Sequence, residues 1–258
     1  MDTVLFEVKN GAGYITLNRE DKRNAFDRSM AVALQKRLDE CRDDSRVRAV
    51  CITGAGKAFS SGQDLAEVMN PDAPGLEKII AEHYNPIITR IRQLPKPVVA
   101  AVNGVAAGAA ANIALSCDIV VAASSASFVQ AFTKIGLIPD SGGTYFLPRL
   151  VGWQKASALM MLAEALSAEE AERIGMIYKV FVDENFASET EKIVLTLARM
   201  PTKALALTKE ALTHSFDKSL NEQLDYEDRL QSIAGKTRDF KEGINAFLEK
   251  RKPAFTGE

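Results

Sequence analysis

Val98 to Ala123 reads VVAAVNGVAAGAAANIALSCDIVVAA, and this stretch decides the fold. It opens on Val98-Val99-Ala100-Ala101-Val102, a β-branched and small apolar run of the kind found in buried strands. The Gly/Ala-rich residues from Asn103 make a tight turn into a helix, and Asp118-Ile119-Val120-Val121-Ala122 is strand again. The stretch has the length of a bilayer span. Asn103, Asn112 and Asp118 interrupt it, however, and its centre is glycine and alanine rather than leucine. A tightly packed interior segment is the better reading, in which small residues let helix and strand approach closely.

Working upstream, Ile79, Ile80, Ile87, Ile88 and Ile91 mark a helix that ends before Pro95-Lys96-Pro97. Gly54 to Asp64 is a glycine-bearing loop, and Val47–Thr53 (VRAVCIT) is a buried strand by its β-branched run. Met30, Leu34, Leu38 and Cys41 recur at helical spacing, with Ser29 near the start. The N-terminus reads as a hairpin: Val4, Phe6 and Val8 alternate, Asn10-Gly11 turns, and Tyr14-Ile15-Thr16-Leu17 returns. Strands and helices therefore alternate through the first two-thirds, the pattern of an α/β core. Beyond about Glu184 the pattern is almost wholly helical, with amphipathic segments around Ile193–Leu197, Ala204–Leu212, Leu220–Ile233 and Phe240–Leu248. We expect an α/β core over 1–197 and a helical oligomerisation region over 198–258, whose spare apolar faces suit a partner subunit.

Bulk composition excludes several classes. The 258 residues are 47% hydrophobic and carry a net charge of −2, so nothing basic points to nucleic acid. The cysteines (Cys41, Cys51, Cys117) have no CxxC spacing, and with His83 and His214 the only histidines a zinc site is not expected. Buried, reduced thiols are the plain reading. The opening MDTVLFEVKNG lacks a long apolar run, so neither a signal peptide nor a membrane association is expected, and a cytoplasmic location is.

Three stretches then appear in order: Gly56-Lys57-Ala58-Phe59-Ser60-Ser61-Gly62-Gln63-Asp64-Leu65, Asn103-Gly104-Val105-Ala106-Ala107-Gly108-Ala109, and Gly136-Leu137-Ile138-Pro139-Asp140-Ser141-Gly142-Gly143-Thr144. Together with Glu242–Arg251 near the end, they resemble the enoyl-CoA hydratase/isomerase (crotonase) superfamily over essentially the whole chain. The resemblance implies a crotonase-type α/β fold, a spiral of β-β-α units with a C-terminal helical region, assembled as a homotrimer or homohexamer. It implies an acyl-CoA thioester substrate, with no cofactor beyond the coenzyme A of that substrate, and no metal. The oxyanion donors it assigns are the N–H groups of Gln63, after Gly62, and of Ala109, at a helix start after Gly108. The chemistry needs such donors because removing a proton beside a thioester pushes charge onto the carbonyl oxygen, and rigid backbone N–H groups meet it without reorganising. Coenzyme A contacts are implied for Lys22, Arg23 and Ala25 in one loop and for Ala58, Asp64 and Leu65 in another. Lys250 and Lys252 are implied to reach the nucleotide phosphates, although solvated surface charge is the simpler reading of each.

The carboxylates separate the reactions of such a family. Hydratases that the chain resembles hold water with two glutamates, and Asn112 and Phe132 occupy those positions, neither of which can act as a general base. Asp140 remains, at the point where isomerases of the superfamily carry an acid. Read from the residues alone, Asp140 is a turn or N-cap aspartate ahead of a helix starting near Ser141. The resemblance makes it the base that lifts a proton from one carbon and returns it at another, in a pocket kept dry by Phe132, Leu137 and Ile138. The stretches His83–Pro86, Phe132–Asp140 and Pro253–Gly257 further resemble ring-1,2-epoxyphenylacetyl-CoA isomerases of phenylacetate breakdown. His83 reads as a satisfied helix histidine, Asn112 as a substrate or packing contact, and Ser60 and Ser61 as loop residues rather than nucleophiles. An isomerase using Asp140 leads. A fatty-acid enoyl-CoA hydratase with displaced acid–base groups, and a non-catalytic acyl-CoA-binding subunit, are the competing readings.

Overall fold

A computed structural model describes residues 2–69 and 74–258. The Asn10-Gly11 turn joins β1 (Val4–Lys9) to β2 (Ala12–Leu17) in register Val4↔Leu17 to Lys9↔Ala12. Both turn residues have positive φ, 53° and 81°, as a two-residue hairpin requires. Helix α1 (Arg28–Asp43) starts one residue before Ser29, because Asp27 is its cap and the Asp27 carboxylate accepts the Met30 N–H at 2.8 Å. Its other end is held by Lys96, whose ammonium donates to the carbonyls of Cys41, Arg42 and Asp44.

The chain then alternates between two sheets. β3 (Ala49–Gly54) is followed by β4 (Ala58–Ser60), β5 (Val98–Val102) by β6 (Val105–Ala107), and β7 (Ile119–Ala123) by β8 (Ser127–Val129). The longer strand of each pair enters a six-stranded sheet, and the shorter enters a four-stranded one. Helices close the turns: α2 (Leu65–Val68) and α3 (Leu76–Lys78), then α4 (Asn85–Gln93), α5 (Ala109–Ser116) and α6 (Gly143–Leu162). β9 (Ala165–Ser167) completes the small sheet antiparallel to β8, α7 (Ala168–Arg173) follows, and β10 (Lys179–Phe181) completes the large sheet parallel to β7. The expected Ile79–Ile91 helix is present, but its first part, Ile79–Tyr84, is a π-helical turn running into α4. Such turns carry one extra residue per turn and recur at functional sites. The α6 run is broken at Gly152, where φ is 77° and ψ 165°.

All residues of α5 are buried, as are all those of β5, so the Gly/Ala composition of the decisive stretch is the signature of a helix inside the protein. No described helix is long and apolar enough to cross a membrane. All three cysteines are free and buried, and burial pushes the Cys41 and Cys51 thiols up to about 12.

Helix α8 (Asp183–Arg199) still packs on the large sheet, so the line expected between 197 and 198 falls inside its last turn. The three remaining helices are α9 (Thr202–Ser215), α10 (Leu220–Ala234) and α11 (Arg238–Leu248). The buried Lys209 fastens α9 to the core: its ammonium donates to Asp118 at 2.8 Å and to the Ile91 carbonyl at 2.7 Å. Burial lowers the Lys209 pKa and Asp118 opposes that shift. Replacing Lys209 by Met leaves the Asp118 carboxylate and the Ile91 carbonyl without this donor. The expected loss is about 2–4 kcal/mol, read as a lower midpoint in urea unfolding at constant m-value.

Candidate active site

The candidate residues converge because β4 and β6 are parallel neighbours. Gln63 lies three residues beyond the end of β4 and Ala109 two beyond the end of β6, so the two loops leave the small sheet side by side. Gly62 has φ 89°, and a β-carbon placed on it would lie 2.7 Å from the Ala107 carbonyl oxygen and 3.9 Å from the Ala109 nitrogen. Gly108, at φ 54° and ψ −128°, swings the chain into α5. Neither position admits a side chain without strain, and together they bring the Gln63 and Ala109 N–H groups together. Among the described residues neither N–H meets a backbone acceptor. The Ala109 donor belongs to the first turn of α5, where N–H groups lack intrahelical partners and the helix dipole favours negative charge.

The third element is the loop ahead of α6. Ser141 and Gly142 both take positive φ, 52° and 74°, and α6 begins two residues after Ser141, at Gly143. The Asp140 carbonyl accepts the Gly143 N–H at 2.9 Å, so Asp140 opens a turn as the residues alone suggest. Its carboxylate, however, accepts the Ser141 hydroxyl at 2.8 Å and caps no helix N–H, so the N-cap alternative is overturned. Asp140 is half-buried, and that burial raises its pKa above the ordinary carboxylate value, against the Ser141 hydrogen bond, which lowers it. Asn112 lies under this loop, fully buried; its amide donates to the Asp140 carbonyl at 2.8 Å and accepts from Gln130 at 2.8 Å. It therefore positions the Asp140 backbone. Phe132 is buried with its ring beside Gly108, and Leu137 is half-buried, whereas Ile138 is 80% exposed and does not enclose Asp140.

Of the residues expected to contact coenzyme A, Arg23 and Ala58 line one groove of about 830 Å³ with Lys57 and Gly104. Lys22, Ala25, Asp64 and Leu65 do not line it. Ala25 is buried and Leu65 half-exposed. The Asp64 carboxylate is engaged within the protein, accepting the Arg19 guanidinium at 3.0 Å and the Ala66 N–H at 3.1 Å. Burial works to raise its pKa, and these partners hold it below the ordinary value. Lys250 and Lys252 lie exposed after α11. Ser60 accepts the Gly62 N–H and Ser61 donates to the Lys22 carbonyl, so both are loop residues.

Two polar residues escaped the sequence reading. The buried Tyr84 donates its hydroxyl to the Gln63 side-chain oxygen at 2.7 Å, and the Gln63 amide donates to Glu67 at 2.9 Å. Glu67 lies in α2, and Gln63 precedes the Asp64 cap of that helix, so the first turn of α2 brings Glu67 back to the Gln63 side chain. Tyr84 follows the histidine that the sequence singled out, and no local pattern marks it. His83 itself is buried, and among the described residues its Nε2 meets no hydrogen-bond partner, unlike the satisfied helix histidine expected.

Comparison with known proteins identifies the family and the fold. The family model described as enoyl-CoA hydratase/isomerase matches residues 7–258. The 1,2-epoxyphenylacetyl-CoA isomerase of Escherichia coli K12 is 45% identical, with 100% of each chain covered. The trans-2-decenoyl-[acyl-carrier-protein] isomerase of Streptococcus mutans is 38% identical over 99% of this chain and 98% of its own length. The crystal structure of an enoyl-CoA hydratase from Bacillus anthracis superimposes with a TM-score of 0.92 at 32% identity, covering 99% of this chain and 100% of the other. With two sheets wound as β-β-α units, a helical C-terminal region and relatives matched end to end, the chain belongs to the enoyl-CoA hydratase/isomerase family and has the crotonase fold.

Proposed function

We propose that the chain is an acyl-CoA isomerase of the ring-1,2-epoxyphenylacetyl-CoA isomerase and Δ3,Δ2-enoyl-CoA isomerase type. The observation that carries this reading is the half-buried carboxylate of Asp140, whose pKa burial raises, with Asn112 and Phe132 where a hydratase holds its water. The thioester carbonyl of the substrate sits between the Gln63 and Ala109 N–H groups. Asp140 takes a proton from one carbon of the acyl chain, the charge is held as an enolate on the carbonyl oxygen, and Asp140 returns the proton at another carbon. Burial favours this cycle because a carboxylate with a raised pKa is the stronger base and gives the proton back readily. One missing oxyanion donor of this kind typically costs about 3 kcal/mol in the transition state. The groove at Arg23, Lys57 and Ala58 offers cationic and backbone groups to coenzyme A. Exposed Leu212, Phe216, Leu220, Leu224, Phe247 and Leu248 on the last three helices and the turn between α9 and α10 give a homotrimer or homohexamer its apolar contact. A hydratase remains the second reading, favoured by Glu67, a further carboxylate joined to Gln63.

The deciding assay offers 3-hexenoyl-CoA and crotonyl-CoA to wild type and Asp140→Asn. Double-bond migration is expected in wild type and falls by about two to four orders of magnitude in the variant, with ligand binding kept. Full activity in Asp140→Asn sinks the assignment, and efficient hydration of crotonyl-CoA passes it to the hydratase. The pH profile is an independent check. The base must be ionised, so kcat/KM falls on the acid side as pH drops through the raised Asp140 pKa. Ser141→Ala removes a donor that favours the ionised form, so this limb moves to higher pH; an unmoved limb detaches Ser141 from the base.

A further inference from the structure

The side chain of Gln63 is fixed at both ends. Its oxygen accepts the Tyr84 hydroxyl at 2.7 Å, and its nitrogen donates to the Glu67 Oε2 at 2.9 Å, while the other oxygen of Glu67 accepts the Arg28 N–H at 2.9 Å. The carboxylate on one side and the phenol on the other leave the amide a single sensible orientation. Tyr84 is itself held: its ring meets Phe26 edge to face at 5.9 Å, and it is 2% exposed. Burial, with Asp140 and Glu67 nearby, raises the Tyr84 pKa, so the phenol stays a donor.

The same residues brace the Gln63 backbone. The peptide joining Gly62 to Gln63 has its carbonyl held by the Phe26 N–H at 2.7 Å, so in a trans peptide its N–H lies on the opposite edge. Gly62 itself is packed against Ala107 and Ala109, its β-carbon position 3.9 Å from the Ala109 nitrogen. On the other side of Gln63 the Asp64 N–H donates to the Phe26 carbonyl at 2.8 Å, so Phe26 holds the backbone at both flanks and leaves rotation about the line joining these two bonds. The side chain of Gln63 adds a third anchor off that line, which opposes the rotation.

We propose that Tyr84 and Glu67 are positioning residues which, by clamping the Gln63 side chain, fix the direction of the Gln63 N–H toward the thioester oxygen. This rests on the oxyanion reading above, and the clamp is distinct from it: the N–H would exist without the clamp but would point less well. An angular error at such a donor costs transition-state stabilisation more than substrate affinity.

The test uses the full chain and hexanoyl-CoA, whose thioester carbonyl stretch, measured by isotope-edited infrared difference spectroscopy, reports polarisation by the two N–H groups. In wild type the bound stretch is expected below the free value. In Tyr84→Phe and in Gln63→Ala, which keeps the backbone N–H, it moves back toward the free value. With 3-hexenoyl-CoA, kcat falls roughly ten- to a hundredfold and KM changes little. Tyr84→Phe made in the Gln63→Ala background adds no further loss, because the hydroxyl acts through that side chain. Glu67→Gln, which keeps an acceptor oxygen, retains more activity than Glu67→Ala. If Tyr84→Phe does not fold, Gln63→Ala and the Glu67 pair carry the same test. A wild-type carbonyl with no shift removes the oxyanion reading and the clamp with it. A shifted wild-type carbonyl with an unchanged stretch and kcat in Gln63→Ala overturns the clamp alone, as do additive losses in the double variant.

Discussion

The architecture depends on one close approach, that of the backbone at Gly62 to the backbone at Ala107 and Ala109. No side chain fits at Gly62, since its β-carbon would sit 2.7 Å from the Ala107 carbonyl oxygen. Two parallel strands must end close together for that approach to occur, and β4 and β6 do, the last residue of β4, Ser60, pairing with Ala106 one residue before the end of β6. A helix must begin immediately beyond the second strand, and that helix must be slim enough to lie wholly inside the protein. The Ala109–Ser116 helix meets both demands. The alternation of long and short strands between two sheets is then the means of delivering two loop ends to one place.

The electrostatics of the site follow from a division of labour between neutral and ionisable groups. In the isomerase reading, backbone N–H groups meet the developing charge, and because they carry no proton that can be lost at working pH they need no titration of their own. Asp140 is placed where burial weakens its hold on the charged form and Ser141 partly restores it. Beside it, Asn112 and Gln130 are neutral, and the buried Gln130 side-chain oxygen has no partner among the described residues. The buried charges elsewhere serve cohesion instead: Lys96 closes the end of α1, and Lys209 and Arg92 meet at Asp118.

The C-terminal helices are joined to the core by few but specific contacts. Arg48 reaches the Met200 and Phe255 carbonyls, and Asp239 receives the Thr256 and Gly257 N–H groups, so the last residues fold back on the helical region. The exposed leucines and phenylalanines of α9 to α11 are left over after this tethering.

The sequence by itself determined what depends on local periodicity and turn chemistry. The hairpin at Asn10-Gly11, the buried strands at Val98 and Ile119, the internal Gly/Ala helix and the glycines before Gln63 and Ala109 are all legible, because each is a rule about neighbouring residues. That Asn112 and Phe132 stand where a hydratase carries glutamates is legible too, but only through the family resemblance and not from any rule about neighbouring residues. Only the tertiary structure decided which distant side chains meet. Tyr84 lies 21 positions from Gln63 and Asn112 lies 28 from Asp140, and no pattern along the chain joins either pair. It also decided that Ile138 faces out, that Asp64 is taken by Arg19, and that His83 is buried with a nitrogen that has no partner among the described residues. Orientation at a loop is set by what packs against it from other elements, and that information exists only once the chain is folded.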